Sequence, residues 1–315
     1  METRYRYVYE VYTERSFTKA AEKLYISQPS LSAMVKKVET ELGAAIFDRS
    51  ASPLELTEEG QAFIEYIQQG LQNEDILSEK LADIQNLHTG KLRIGGSNYV
   101  LSSIMPQIIK QIQDQHPRIK FELVEERSFA LRKLLEDGEL DLVIDSFDIQ
   151  ENPLFCHRLF TERILLAVPS KDPINSKLSS YRITPSRLAT KKYTDILLPH
   201  ESAVELLRKP FVLLKTENNM YQQAINTFHS FDIQPSIRLS LDQLITSLQY
   251  TEAGLGCSFV TDTLFHYDNR KHDVCLYALD GRYTHRDMSI VHKKNRYLSN
   301  AARMFIQVAQ EHFSR

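Results

Sequence analysis

The stretch FTKAAEKLYISQPSLSAMVK, residues 17–36, restricts the fold more than any other part of the chain. It holds two short helical patterns joined by little more than Tyr25 and Ile26. The first presents Ala20, Ala21 and Leu24 on one side. Side chains that small let a neighbouring helix axis approach closely. Ser16 is a good N-cap for this helix and Ser27 for the next, where Pro29 falls in the first turn and its missing N–H costs little. That third helix is expected to bury Leu31, Val35, Val38 and Leu42, at steps of four, three and four, and to end at Gly43. Upstream, Tyr5, Val8, Tyr9 and Tyr12 recur at i, i+3, i+4 and i+7, so another helix precedes the pair. The pattern predicts a compact three-helix head that pushes its third helix outward.

The outer face of that helix is polar. Gln28, Ser32 and Lys36 lie four apart on one stripe, and Pro29, Ala33 and Lys37 form the stripe beside it. Such a face fits a DNA major groove: Gln bonds adenine edges, Ser adapts, and Lys reaches phosphates. The helix N-terminus itself favours a phosphate. A solvated face of an ordinary three-helix domain has the same pattern, and periodicity alone does not separate the two. Gross charge does not separate them either, since residues 1–57 carry 8 Lys and Arg against 8 Asp and Glu.

The wider sequence does. Residues 16–63, SFTKAAEKLYISQPSLSAMVKKVETELGAAIFDRSASPLELTEEGQAF, resemble the DNA-binding domain of the LysR-type transcriptional regulators. The matching pieces are Ser16-Phe17-Thr18, Ala20-Ala21, Leu24, Ser27-Gln28-Pro29-Ser30, Ser32, Glu39, Glu41-Leu42-Gly43, Phe47, Arg49, Leu56-Thr57 and Gly60. The resemblance implies a winged helix-turn-helix whose third helix enters the major groove, with residues 54–57 returning from the wing. The DNA-contact candidates are then Thr18, Ser27, Gln28, Pro29, Ser30, Ser32, Ala33, Lys36, Lys37, Arg49 and Pro53. Two departures stand out. The family often has a basic residue where this chain has Ala33, and Arg or Lys in a wing that here reads Ser50-Ala51-Ser52-Pro53. Fewer cations mean fewer phosphate contacts and a shallower salt dependence, so paired heads are expected to share the binding. The implied partners are double-stranded promoter or operator DNA and, for an activator, RNA polymerase.

From Thr57 the chain becomes long, polar and periodic, with apolar beats at Phe63, Ile67, Leu71, Leu77, Leu81 and Ile84. Thr57 with Glu58 and Glu59 makes a capped, acidic helix start. The helix is expected to run to about residue 87, weakened locally by Gly70, and to pair with a second copy in coiled-coil fashion. Residues 58–90 carry seven acids against one Lys, which keeps this face clear of DNA. The expected organisation is a head over 1–58, a linker and dimerisation helix over 59–89, and a homodimer or homotetramer built through that helix.

After Thr89-Gly90 strands and helices alternate, in a mostly parallel α/β pattern. Strands are expected at 91–95, 119–125, 141–145, 163–168, 195–198, 236–239, 257–260, 274–279 and 288–292. Helices are expected at 100–115, 129–137, 218–230, 243–253 and 299–313. The phrases KLRIGGS, GELDLVI and AGLGCSFV resemble those of LysR-type effector domains. The resemblance implies two periplasmic-binding-protein-like lobes of type 2 joined by two crossover strands, near 163–169 and 265–273. Lobe I is then about 90–163 and 268–315, and lobe II about 164–267. Ligands of open α/β sheets sit at strand C-termini beside helix N-termini. Ser97 and Asn98, Ser128, and Pro199 with His200 occupy such places, and Ser128 can cap the helix it precedes. Phe147, Ser202, Thr246 and Phe259 are further candidates for the walls. Hydroxyls and free N–H groups suit a small anionic effector. Its binding is expected to change lobe closure and the spacing of paired heads.

Other classes fit less well. His266, His272, Cys275, His285 and His292 match no compact metal motif, and no cofactor is implied. Cys156, Cys257 and Cys275 form no C-x-x-C pair and read as reduced thiols of a cytoplasmic protein. The chain offers no G-x-S-x-G, phosphate loop or H-E-x-x-H, so the alternative of a cytoplasmic small-molecule-binding α/β protein or enzyme with an incidental helix-turn-helix-like head lacks its own signature. An exported solute-binding protein would want an apolar signal core, which METRYRYVYE does not supply. No run approaches the ~20 apolar residues of a membrane span.

Overall fold

Three hydroxyls set the helix starts of the N-terminal unit. Ser16 Oγ accepts from the Lys19 N–H, Ser27 Oγ from the Ser30 N–H and Thr57 Oγ1 from the Gly60 N–H. The computed structural model describes residues 2–50, 53–85, 90–147, 154–191, 193, 195–267 and 270–314, and all but the side chain of Ala82 within them. The chain divides into two compact units, 1–86 and 87–315. The first holds α1 (Thr3–Glu14), α2 (Phe17–Lys23), α3 (Gln28–Leu42), a minimal wing of β1 (Phe47–Asp48) and β2 (Glu55–Leu56), and α4 (Glu58–Ile84). Its core joins Val8 and Val11 of α1, Ala20 and Ala21 of α2, and Leu31, Val35 and Val38 of α3 to Phe63, Ile64 and Ile67 of α4.

Leu42 departs from expectation. It is 45% exposed. Gly43 closes α3 in a left-handed turn (φ 71°) that brings Ile46 and Phe47 into the core, so they fill the place the periodicity gave to Leu42. The turn between α2 and α3 is also unusual. Tyr25 adopts φ 55°, a left-handed conformation rare for an aromatic residue. The first half of α4 packs on α1, with the Tyr5 and Phe63 rings edge to face at 5.2 Å. Farther along, Leu77, Leu81 and Ile84 are exposed. The wing residues Ala51 and Ser52, and the helix end expected at about residue 87, lie outside the described residues.

The second unit begins with β3 (Gly90–Gly96), a π-helical turn at Val100–Ile104, α5 (Met105–Gln115), β4 (Ile119–Glu125), α6 (Ser128–Glu136) and β5 (Leu142–Asp145). Then come β6 (Leu154–Pro169), α7 (Ile174–Lys177), α8 (Pro185–Thr190), α9 (His200–Leu207), β7 (Pro210–Leu214), α10 (Asn219–Ser230) and β8 (Ser236–Leu241). The chain closes with α11 (Leu244–Glu252), β9 (Ser258–Thr261), α12 (Asp262–Tyr267), β10 (Val274–Ala278), β11 (His285–Lys293) and α13 (Asn300–Ser314).

The sheet is mixed, not mostly parallel. β4, β3 and β5 run parallel, as do β7 and β8, but β11 is antiparallel to both β5 and β6, and β6 is antiparallel to β9 and β10. The cause is β6, a 16-residue strand that passes from one lobe to the other. Its first half pairs with β11 and its second half is flanked by β9 and β10. The expected return crossing at 265–273 does not coincide with these pairings. β10 sits against the same half of β6 as β9, so the chain returns to β11 after Ala278. The strand expected at 195–198 reduces to a single bridge, Leu197 to Ala278. β7 was not anticipated at all. Where β6 changes partners, Glu162 is fully buried and receives the Arg286 guanidinium and, at 3.4 Å, the Tyr99 hydroxyl. Burial and the Glu162 charge push the Tyr99 phenol well above its usual range. No described helix is long and apolar enough to cross a membrane.

Candidate functional site

The polar face of α3 is presented as the sequence suggests. Gln28, Pro29, Ser30, Ala33, Lys36 and Lys37 are exposed within their unit, and Ser32 is half-buried. The start of the helix is fixed by Ser27, whose Oγ accepts the Ser30 N–H at 3.3 Å and lies 2.7 Å from Ser30 Oγ. Gln28, Lys36 and Lys37 form no side-chain hydrogen bond or ion pair with the described residues of the chain. Their donors are available to an outside partner. Thr18 is exposed in the first turn of α2, and Pro53 is exposed before β2.

Arg49 is different. Its Nη2 donates to Glu39 Oε2 at 3.1 Å, and its guanidinium stands 5.2 Å over the Phe17 ring. Glu39 in turn accepts the Ile46 N–H at 2.9 Å through Oε1. The arginine therefore braces α3, α2 and the wing while keeping an exposed face. Tyr25, which the sequence reading treated only as turn, is 95% exposed beside the helix start. A large aromatic residue in a turn position that favours Gly was the signal that could have found it.

In the second unit a cavity of about 540 Å³ opens between the lobes. Ser128, Phe129, Arg132 and Phe147 line it from lobe I. Thr216, Glu217, Asn218, Asn219 and Gln222 line it from the segment after β7. Two helix N-termini meet there, those of α6 and α10. Ser128 is the first residue of α6 and not its cap, which is Arg127 and makes no side-chain capping bond. The Ser128 hydroxyl is thus not spent on its own helix. Asn218 caps α10 by accepting the Met220 N–H at 2.9 Å.

Polar contacts join the lobes around this cavity. Asn219 Nδ2 donates to the Ser146 carbonyl at 2.9 Å and to Asp145 Oδ1 at 3.3 Å. Arg127 donates to Glu217 at 3.2 Å and to Asp242. Lys215 also reaches Asp242, at 2.7 Å, and that hydrogen bond, with the Arg127 charge, holds the Asp242 carboxyl below the usual aspartate range. Glu125 receives both Asn98 Nδ2 (3.1 Å) and Gln243 Nε2 (3.3 Å).

Of the effector candidates, Ser128 and Phe147 come together in the cavity. Ser97 and Asn98 follow β3, and Asn98 reaches the interlobe contacts through Glu125. Thr246 is half-buried on α11, and neither it nor Ser97 is among the described lining residues. Pro199, His200 and Ser202 begin α9 and also stand apart from the lining, and the His200 ring is stacked on Phe231 at 5.1 Å. Phe259 is not a cleft wall. It is 5% exposed and packs with Phe211 and Phe228 in the core of lobe II, because alternate residues of β9 face the helices that cover the sheet. Asn219, missed by the sequence reading, lines the cavity from lobe II and bonds across it to Ser146 and Asp145. Among the described residues no three His, Cys, Asp or Glu side chains converge to hold a metal.

Comparison with known proteins agrees with this geometry. Residues 3–61 match the bacterial regulatory helix-turn-helix protein, lysR family, and residues 85–314 match the LysR substrate binding domain. The uncharacterised HTH-type transcriptional regulator YcgK of Bacillus subtilis is 28% identical over 306 residues, covering 97% of this chain and 92% of that protein. The HTH-type transcriptional regulator BenM of Acinetobacter baylyi is 33% identical over 179 residues, 56% of this chain and 58% of that protein. The crystal structure of full-length CbnR complexed with its target DNA shares the fold at a TM-score of 0.69, with 17% identity and 99% coverage of both chains. With a helix-turn-helix head of one description and an α/β domain of the other, together spanning nearly all of its length, the chain belongs to the LysR family of DNA-binding transcriptional regulators.

Proposed function

We propose that residues 27–37 form the surface that reads the operator, with Gln28 on base edges, Lys36 and Lys37 on phosphates, and Ser27, Ser30 and Ser32 adapting to the backbone. The observation that carries this reading is the outward, unengaged Gln28 on a capped helix start. Thr18 and the free face of Arg49 flank the same surface as further phosphate contacts, and Pro53 as an apolar contact to the DNA. The boundaries follow as 1–58 for the head, 59–89 for the linker helix and 90–315 for the effector domain. The exposed seam of Leu77, Leu81 and Ile84 on α4 supports a homodimer or homotetramer formed through that helix.

The effector is a small anion held between the lobes. Two helix N-termini supply positive potential to one cavity, Arg132, which also pairs with Glu136 at 2.9 Å, lines it, and Ser128 supplies a hydroxyl. Glu217 also faces the cavity, but Arg127 is paired with it. Binding there shifts the balance between lobe arrangements, and that shift is coupled to DNA affinity. Such couplings amount to about 1–3 kcal/mol. The ligand acts only through a difference in affinity for the two arrangements. If the protein activates, the bound head also presents a surface to RNA polymerase.

A gel-shift titration tests the DNA reading, using the DNA immediately upstream of the protein's own reading frame and random DNA of equal length. Gln28→Ala is expected to cost about 1–3 kcal/mol on the specific site and little on random DNA. Gln28 makes no contact that the fold needs, so stability stays level and the loss reports the interface alone. Equal weakening on both DNAs would remove Gln28 from base reading.

A further inference from the structure

The turn from α2 to α3 is built on a strained residue. Helix α2 stops through two backbone bonds: the Tyr25 N–H donates to the Glu22 carbonyl and the Ile26 N–H to the Ala21 carbonyl, both at 3.1 Å. A helix stop of this kind needs one left-handed residue, and glycine is the usual choice because it has no Cβ. Here the position holds tyrosine, at φ 55°.

Nothing inside the protein offsets that conformation. The Tyr25 side chain is 95% exposed. Neither its ring nor its hydroxyl takes part in a hydrogen bond or ring contact with the described residues. Strained residues of this sort cluster where a side chain meets a ligand.

Its place narrows the choice of ligand. Tyr25 stands two residues before Ser27, the cap of α3, and three before Gln28. Ser27, Gln28, Pro29 and Ser30 are all exposed, so Tyr25 extends the presented face past the helix start. Cα atoms two residues apart lie within about 7.6 Å of each other. A helix start that enters a major groove about 12 Å wide brings a neighbour that close to the phosphates bordering the groove. The turn offers no cation for them: Glu22 is exposed on α2, and Lys23 is paired with Glu10 and Glu14. A phenol suits such a place. Its hydroxyl donates to a phosphate oxygen, and only two rotatable bonds have to be fixed.

We propose that Tyr25 is a positioning contact to DNA. Its hydroxyl donates to a phosphate at the border of the groove that α3 enters, and the left-handed turn aims it there. The proposal rests on residues 27–37 being the DNA face. It adds an uncharged anchor that fixes the orientation of the helix without reading sequence.

Gel-shift titration of the full-length protein on random duplex DNA at low salt tests the anchor, because a phosphate contact needs no operator. Tyr25→Phe keeps the ring and the backbone and removes only the donor. It is expected to weaken binding about tenfold, roughly one hydrogen bond to a charged group, with the slope of log affinity against log salt unchanged. The double variant K36Q/K37Q is the comparison, expected to weaken binding and to flatten that slope by about one per lysine. Tyr25→Gly is expected to lose the same contact while melting no lower than the parent, which separates a lost contact from a damaged head. Parent-like affinity of Tyr25→Phe beside a loss in K36Q/K37Q would overturn the anchor and leave the DNA face standing. Parent-like affinity of both variants would remove the face as well. A flattened salt slope in Tyr25→Phe, or a Tyr25→Gly protein that melts lower, would also overturn the proposal.

Discussion

Replacing Gly60 by Ala sets two physical effects of opposite sign against each other. In an uncrowded helix the change stabilises by about 0.5–1 kcal/mol, because Gly loses more conformational freedom on folding. Gly60, in the first turn of α4, is not uncrowded. A Cβ built there would lie 2.0 Å from the Ile46 carbonyl oxygen and 2.8 Å from its carbonyl carbon. That oxygen belongs to backbone and also accepts the Thr57 N–H at 3.1 Å, so it cannot turn aside as a side chain would. Relief needs the wing and α4 to separate by about an ångström, and overpacking of this kind costs typically about 1–3 kcal/mol. The net expectation is destabilisation of the head. For a unit of its size that is a fall in melting temperature of about 5–20 °C. Scanning calorimetry of the full-length protein measures the shift, and hydrogen exchange at residues 31–38 locates it in the head. Gly43→Ala is the control. Unlike Gly60 it has a left-handed backbone (φ 71°), but nothing lies within 4 Å of its Cβ, so only the conformational cost of about 1–2 kcal/mol applies. A Gly60→Ala protein that melts at the same temperature or higher would refute the close approach of α4 to the wing.

Three further outcomes follow from the same structure. Tyr25→Gly is expected to stabilise the head by about 0.5–1 kcal/mol in chemical denaturation, since a side chain 95% exposed gives up almost no burial and the left-handed strain is relieved. Asn219→Ala removes the donor to Ser146 and Asp145 and is expected to loosen lobe closure by about 0.5–1.5 kcal/mol, seen as roughly two- to tenfold faster hydrogen exchange in residues 216–222. Acidification is expected to weaken the effector domain. Burial, and then the neighbouring His292 at 3.2 Å, hold the His157 imidazole below 6.5. Below pH 6.5 the unfolded chain therefore binds the extra proton first, so stability falls as pH drops from about 6.5 toward the folded value and levels off beneath it. His157→Gln should flatten part of that slope in denaturant titrations at several pH values. The remainder belongs to His285, whose imidazole is lowered by burial and by Arg163.

The head was legible because its information is local. Caps, small residues and a terminal Gly lie within a few positions of the features they dictate, and Ser16, Ser27, Gly43 and Thr57 all do what their chemistry suggests. Leu42 shows the limit. Helical periodicity gives the direction of a side chain but not whether the chain beyond the cap supplies competitors, and Ile46 and Phe47 do. The helix after the wing was readable for the same local reason, from its cap at Thr57 and its apolar beats, of which Leu77, Leu81 and Ile84 are exposed.

The cleft was half legible, and the missing half has one source. The rule that ligands gather beyond strand C-termini led to Ser128 and Phe147 in lobe I, where β4 and β5 were placed correctly. In lobe II the same rule was applied to a strand at 195–198, which the structure reduces to one bridge, and so it pointed to Pro199 and His200. The strand that does the positioning is β7, the run PFVLL between Lys209 and Lys215. Four buried residues without alternation give no period-2 signal, and coming directly after the buried Leu206 and Leu207 of α9 they read equally well as helix. Only the ladder of β7 with β8 and its bridge to Cys257 decides the matter, and those partners lie more than twenty residues away. Once β7 is in place the rule leads directly to residues 216–222 and to Asn219. A continuous apolar strand is legible only through its neighbours, so a site that depends on one is legible only after the sheet is known.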